Sequence, residues 1–181
     1  MVYVSIGLLL VGAVTALNLV LILAVIRRLR RHEEERKRLF DPETVESGPP
    51  TGEPLPAFTA VATDGTRVAS DALLGREAAL TFLSTDCSIC VSAAADLPEF
   101  ARLAGLDATQ MVVVIAGEEK KAREIAAPLD GVAMVVLEEA AGPLSTQYAI
   151  MGTPTTVLVD PDGKVTYARA GTNPVLDRTP A

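Results

Sequence analysis

Tryptophan is absent from this chain, histidine occurs once and cysteine twice. The one histidine, His32, sits beside an N-terminal apolar run, so the rest of the chain offers no imidazole as a general base or metal ligand. That removes the hydrolases built on a Ser-His pair and the zinc enzymes built on histidine. Cys87 and Cys90 are too few and too close for a disulfide scaffold, and they supply half of a four-thiolate zinc site. Neither a metal nor a cofactor is therefore expected. Positive charge is also scarce beyond residue 40: residues 41–181 hold nine Lys/Arg against twenty Asp/Glu, a net of −11. Such a surface excludes nucleic acid as a partner. No internal repeat is visible.

What is present first is a long neutral segment. No charged side chain occurs from Val2 to Ile26, and Asn18 is its only strongly polar residue. At about 1.5 Å per residue, a helix of that length crosses a hydrocarbon core of roughly 30 Å. A signal peptide would carry its basic residues before a shorter apolar stretch, whereas Arg27, Arg28, Arg30 and Arg31 follow this one. Residues 1–26 are accordingly expected to be a retained transmembrane anchor, contacting the membrane through 2–26. Residues 27–40 alternate acids and bases at helical spacing and read as a charged juxtamembrane helix. Residues 41–55 are rich in proline, glycine and acids, and read as a linker. Residues 56–181 form the remaining domain.

Within that domain, apolar runs alternate with helical patterns. Ala57–Ala62 and Thr66–Ala69, separated by Asp64-Gly65, predict a hairpin. Ala78–Leu83, Met111–Ala116 and Val132–Leu137 predict buried strands. Helices are expected over Ser88–Leu103 (with Pro98 as a kink), Glu118–Ala127 and Pro143–Ile150. Thr155–Val159 and Lys164–Ala168 flank the turn Asp160-Pro161-Asp162-Gly163, giving a closing hairpin. Strands alternating with helices and ending in a hairpin imply an α/β sandwich with a mixed sheet.

The informative string is TFLSTDCSIC, residues 81–90. A buried strand ends, a short loop follows, and Cys-x-x-Cys opens a helix. Cys87 then lies at or just before the helix N-terminus, where unpaired N–H groups and the macrodipole favour a thiolate. Cys90, one turn on, can reach it but is more shielded. An exposed thiolate that attacks a disulfide and a neighbouring thiol that resolves the product are what thiol–disulfide exchange requires. Asp86 opposes the thiolate by like charge, and the expected result is a modestly acidified Cys87. A static disulfide or half of a zinc site is the structural alternative. Far along the chain, Gly152-Thr153-Pro154-Thr155 leads into a strand; proline there implies an edge, a cis bond or an ordinary trans turn. A cis loop facing the cysteines would offer the Thr153 backbone to an extended peptide.

Residues 56–168 resemble the thioredoxin superfamily, in particular its membrane-anchored TlpA-type and redoxin branch. The resemblance is carried by PAFTAVATDGTRV, TFLSTDCSIC, YAIMGTPTTVLVD and PDGKV. FLSTDCSIC is most similar to the accessory thioredoxin-like proteins of methylamine utilisation, which are also singly anchored. The resemblance implies a thioredoxin-like mixed-sheet sandwich and a protein thiol-disulfide oxidoreductase. Cys87 would be the nucleophile, Cys90 the resolving thiol, and Pro154 the cis-proline of a substrate loop with Thr153. The implied partners are a protein thiol or disulfide substrate and an upstream electron donor or acceptor. Three departures stand out: no tryptophan precedes Cys87, Thr81 occupies the position of a buried acid, and few residues follow the last strand. A peroxiredoxin-like peroxidase using Cys87 is the first competing reading, with Ser84 three residues ahead but Leu80 where a proline belongs. A non-catalytic binding module retaining a structural disulfide is another. Four arginines after the anchor favour a cytoplasmic domain, whereas the resemblance places it outside, and the extracytoplasmic face is the expectation taken here.

Overall fold

The computed structural model describes Gly12 and residues 47–171. The chain divides into two compact units, Met1–Asp41 and Pro42–Ala181. The expected anchor, the juxtamembrane helix, the start of the linker and residues 172–181 lie outside the described residues. Among the described residues no helix is long and apolar enough to cross a membrane.

Among the described residues, seven strands form two sheets. β1 (Thr59–Val61) and β2 (Arg67–Ala69) make a short antiparallel hairpin. β3 (Ala78–Ser84), β4 (Met111–Ala116), β5 (Met134–Glu138), β6 (Thr155–Val159) and β7 (Val165–Ala170) form the main sheet in the order β5-β4-β3-β6-β7. β3, β4 and β5 are parallel, β6 runs antiparallel to β3, and β7 antiparallel to β6, so the sheet is mixed. The central strands are continuous apolar runs because both of their faces are covered. On β3, Ala79 and Leu83 point to one core with Met111, Val113 and Ile115 of β4. Leu80 and Phe82 point to the other, with Val112 and Val114.

The first face is covered by α1 (Cys90–Ala104) and α2 (Glu119–Ala126). Cys90, Ala94, Leu97 and Ala101 make the buried stripe of α1 at spacings of three and four. The helix runs on past Pro98 to Gly105, whose φ of 69° closes it with a bond from its N–H to Ala101 O. The second face is covered by the hairpin, a 3-10 turn at Ser70–Leu73 and α3 (Pro143–Gln147), followed by the buried Tyr148. Gly142, at the start of α3, has no side chain to cap it. Glu138, at the end of β5, does so instead: its carboxylate accepts the N–H groups of Leu144 and Ser145 and the Ser145 hydroxyl.

The linker expected over 41–55 needs correction at its C-terminal end. From Ser47 onward the chain is bonded to the domain: Gly52 N–H donates to Val165 O, Val165 N–H to Glu53 O, and Leu55 N–H to Gly163 O. The segment thus extends the pairing at the start of β7. Composition misleads here because its prolines and glycines leave enough donors free to satisfy that edge.

Candidate redox site

The topology of the sheet brings the two distant motifs together. β3 and β6 are antiparallel with Phe82 opposite Thr155. The residues just after β3 and just before β6 therefore emerge at the same end of the sheet. Those residues are the cysteine loop and Thr153-Pro154. Cys87 Sγ lies 3.2 Å from the carbonyl oxygen of Thr153. The Thr153–Pro154 bond is cis. Pro154 is followed by an interior strand, not an edge strand.

The cysteine loop is a compact turn. Cys87 N–H donates to Ser84 O at 3.3 Å, Asp86 N–H to Ser84 Oγ at 3.2 Å, and Cys90 N–H to Cys87 O at 3.1 Å. α1 begins at Cys90, so Cys87 stands in the turn leading into the helix. Cys87 and Cys90 are joined as a disulfide with their α-carbons 5.4 Å apart. Their exposure differs in kind: Cys90 is fully buried at the head of the α1 stripe, whereas Cys87 is half-buried. Only the first sulfur is open to an approaching group.

A second loop braces the first. Thr85 N–H donates to Ala116 O, and Thr85 Oγ1 accepts the Glu118 N–H at 3.2 Å. Gly117, at φ +126°, lies directly against Thr85, where any Cβ would overlap the hydroxyl. Only glycine fits this close approach. Charge around the turn is modest. Asp86 is exposed, and Lys121 bonds Glu118 at 2.9 Å, a contact that raises the ammonium pKa together with smaller contributions from Asp86 and Glu124.

The rim is apolar. Ile89 (53% exposed) and Val91 (59%) flank the pair on one side, and Met151 (75%), two residues before Thr153, stands out on the cis-proline loop. Thr81, the neutral residue in β3, is buried and its Oγ1 has no partner among the described groups. No cluster of three or more His, Cys, Asp or Glu able to hold a metal occurs among the described residues.

The Redoxin family profile matches residues 50–179, most of the chain. The chain belongs to the Redoxin family. No curated protein matches it. Solved structures of similar fold include the thioredoxin domain of a thiol-disulfide oxidoreductase from Bacteroides vulgatus, 23% identical, with TM-score 0.58, covering 72% of this chain and 95% of that one. An exposed lipoprotein thioredoxin of Streptococcus pneumoniae is 23% identical at TM-score 0.53, covering 65% and 91%. A secreted disulfide oxidoreductase of Mycobacterium tuberculosis is 20% identical at TM-score 0.53, covering 64% and 84%. This redoxin domain therefore has the thioredoxin-like α/β fold. Cys87, Cys90, Thr153 and Pro154 all meet at one end of the sheet. Sequence reasoning missed Ser47 and the Thr85–Gly117 contact, both of which hold this site; neither residue type nor spacing signals them.

Proposed function

We propose that this redoxin is a membrane-anchored thiol-disulfide oxidoreductase that exchanges a disulfide with a partner protein through Cys87 and Cys90. The observation that carries this reading is a half-buried Cys87 whose sulfur is paired with that of a buried Cys90 and lies 3.2 Å from the Thr153 carbonyl oxygen. In the reductive direction the Cys87 thiolate attacks one sulfur of the partner's disulfide, and the partner's other sulfur leaves as a thiolate. The Cys90 thiolate then attacks Cys87 Sγ, closes the internal disulfide and releases the partner as a dithiol. Two electrons pass to the partner, and an upstream protein dithiol must restore them. In the oxidative direction the same steps run backwards, starting with a partner thiolate at Cys87, the accessible sulfur. The partner segment lies extended along Thr153 and Pro154, its backbone pairing with the loop. Ile89, Val91 and Met151 favour apolar side chains beside its cysteine. Insulin reduction by the reduced chain tests the activity: Cys87→Ser abolishes it, and undiminished turnover in that variant refutes the role.

Residues 2–26 serve as a single-pass anchor with the domain on the extracytoplasmic face. An internal disulfide persists most readily there, and the exposed pneumococcal and secreted mycobacterial proteins of similar fold are consistent with that side. Arg27, Arg28, Arg30 and Arg31 argue for the opposite orientation. A reporter fused after Ala181 decides between them. Activity confined to the cytoplasm would overturn the placement.

A further inference from the structure

Ser47 is 1% exposed, although the residues around it in sequence have the composition of a linker. Its hydroxyl accepts the Met151 N–H at 3.0 Å and lies 2.8 Å from Thr155 Oγ1. Thr155 Oγ1 in turn donates to Gly152 O at 2.6 Å. A hydroxyl has one proton. Because Thr155 spends its proton on Gly152, the Ser47 hydroxyl must donate to Thr155. The order is therefore fixed: Met151 N–H to Ser47, Ser47 to Thr155, Thr155 to Gly152 O.

This chain of bonds spans the loop from Met151 to Thr155, which carries Thr153 and the cis-proline. Gly48 adds a bond from its N–H to Ala149 O at 3.4 Å and packs against Val157 and Ala168, where a Cβ would come within 3.3 Å of each. From the other side, Gly171 N–H donates to Pro154 O at 2.7 Å. The loop facing Cys87 is thus fixed by a residue more than a hundred positions away that belongs to no strand or helix.

We infer that Ser47 is a positioning residue for protein substrates, setting the backbone of the Met151–Thr155 loop against which the partner segment pairs. The inference rests on the exchange reading above. A small thiol needs only access to Cys87 Sγ, whereas an extended peptide needs the loop backbone in register. Displacement of the order of an ångström matters greatly for such alignment. Loss of Ser47 should therefore weaken protein binding while leaving small-thiol chemistry alone.

The test uses the full chain, wild type and variant, with insulin as the protein disulfide and dithiothreitol as the small thiol. In Ser47→Ala, KM for insulin rises about tenfold as the Met151 N–H loses its acceptor. The kcat and the rate of disulfide reduction by dithiothreitol stay near wild type, and Ser47→Thr restores KM. Unchanged KM in Ser47→Ala overturns the inference, as does a parallel fall in kcat and in the dithiothreitol rate. If Ser47→Ala fails to fold, Thr155→Val removes both the acceptor that orients the Ser47 hydroxyl and the donor to Gly152 O, so the loop loses the rest of the chain of bonds and a raised KM is expected there too; an unchanged one overturns the inference. Wild-type protein that dithiothreitol reduces but that leaves insulin intact overturns the exchange reading itself, and this inference with it.

Discussion

Gly117→Ala is the substitution whose cost can be worked most directly from the structure. Gly117 has φ +126°, a conformation that L side chains rarely adopt, and its own site offers no room. The backbone strain is about 1–3 kcal/mol. The added methyl also overlaps Thr85 Oγ1 and lies 3.0 Å from Thr85 Cβ, and forcing a methyl into a closed contact adds about 1–3 kcal/mol. Together the loss is about 2–6 kcal/mol, a large share of the roughly 5–15 kcal/mol that holds a domain folded. Because the chain has no tryptophan, urea unfolding followed by far-UV circular dichroism is the suitable assay. The double variant Thr85→Ala/Gly117→Ala separates the two contributions. Measured against Thr85→Ala alone, which itself gives up the bond to the Glu118 N–H, it relieves the hydroxyl overlap but retains the backbone strain, so Gly117→Ala should cost about half as much in that background. A single-variant loss below about 0.5 kcal/mol, or an undiminished cost of Gly117→Ala in the Thr85→Ala background, would rule out this steric origin.

Other outcomes follow from the same geometry. Asp86→Asn should lower the Cys87 thiol pKa by removing an adjacent like charge. Thiolate absorbance against pH in the reduced protein, wild type beside variant, reads the change. Leu97→Ala empties a buried position in the α1 stripe and should cost about 2–5 kcal/mol in urea unfolding. Tyr148 is buried and donates to Pro56 O at 2.7 Å, and burial pushes its hydroxyl pKa up from 10.0. A raised acid pKa means that the neutral form is the one the fold holds. That stability is complete below pH 10 and is lost as pH rises beyond it. Thermal unfolding from pH 8 to 11 should show this decline, and Tyr148→Phe should lessen it after a loss of about 1 kcal/mol at neutral pH.

Much of the architecture was legible because both faces of the sheet are buried. Met111–Ala116 is strand to the residue, since six apolar positions in a row fit little else at that length. Ala78–Leu83 gained only Ser84, and β6 spans Thr155–Val159 as its apolar run implied. Helix starts were less legible. α1 begins at Cys90, two residues after the expected start at Ser88, because residues 87–90 form a turn ahead of it. The 3-10 turns at Ser70–Leu73 and Ala127–Leu129 carry no periodic pattern long enough to read. At the site, Cys-x-x-Cys and Gly-Thr-Pro-Thr announce themselves through residues of unusual chemistry. Their meeting needed the antiparallel pairing of β3 and β6, which no local signal encodes. Ser47 was the least legible, being a serine in a proline-rich stretch whose role comes entirely from what it touches.

Exchange turns on which sulfur receives a partner. Full-length Cys90→Ala, expressed in cells and recovered with its thiols blocked by acid and alkylation, tests it most directly. A partner protein joined through Cys87 and released by dithiothreitol is expected, with no such species in Cys87→Ala. No trapped protein in Cys90→Ala, or the same adduct persisting without Cys87, would contradict it.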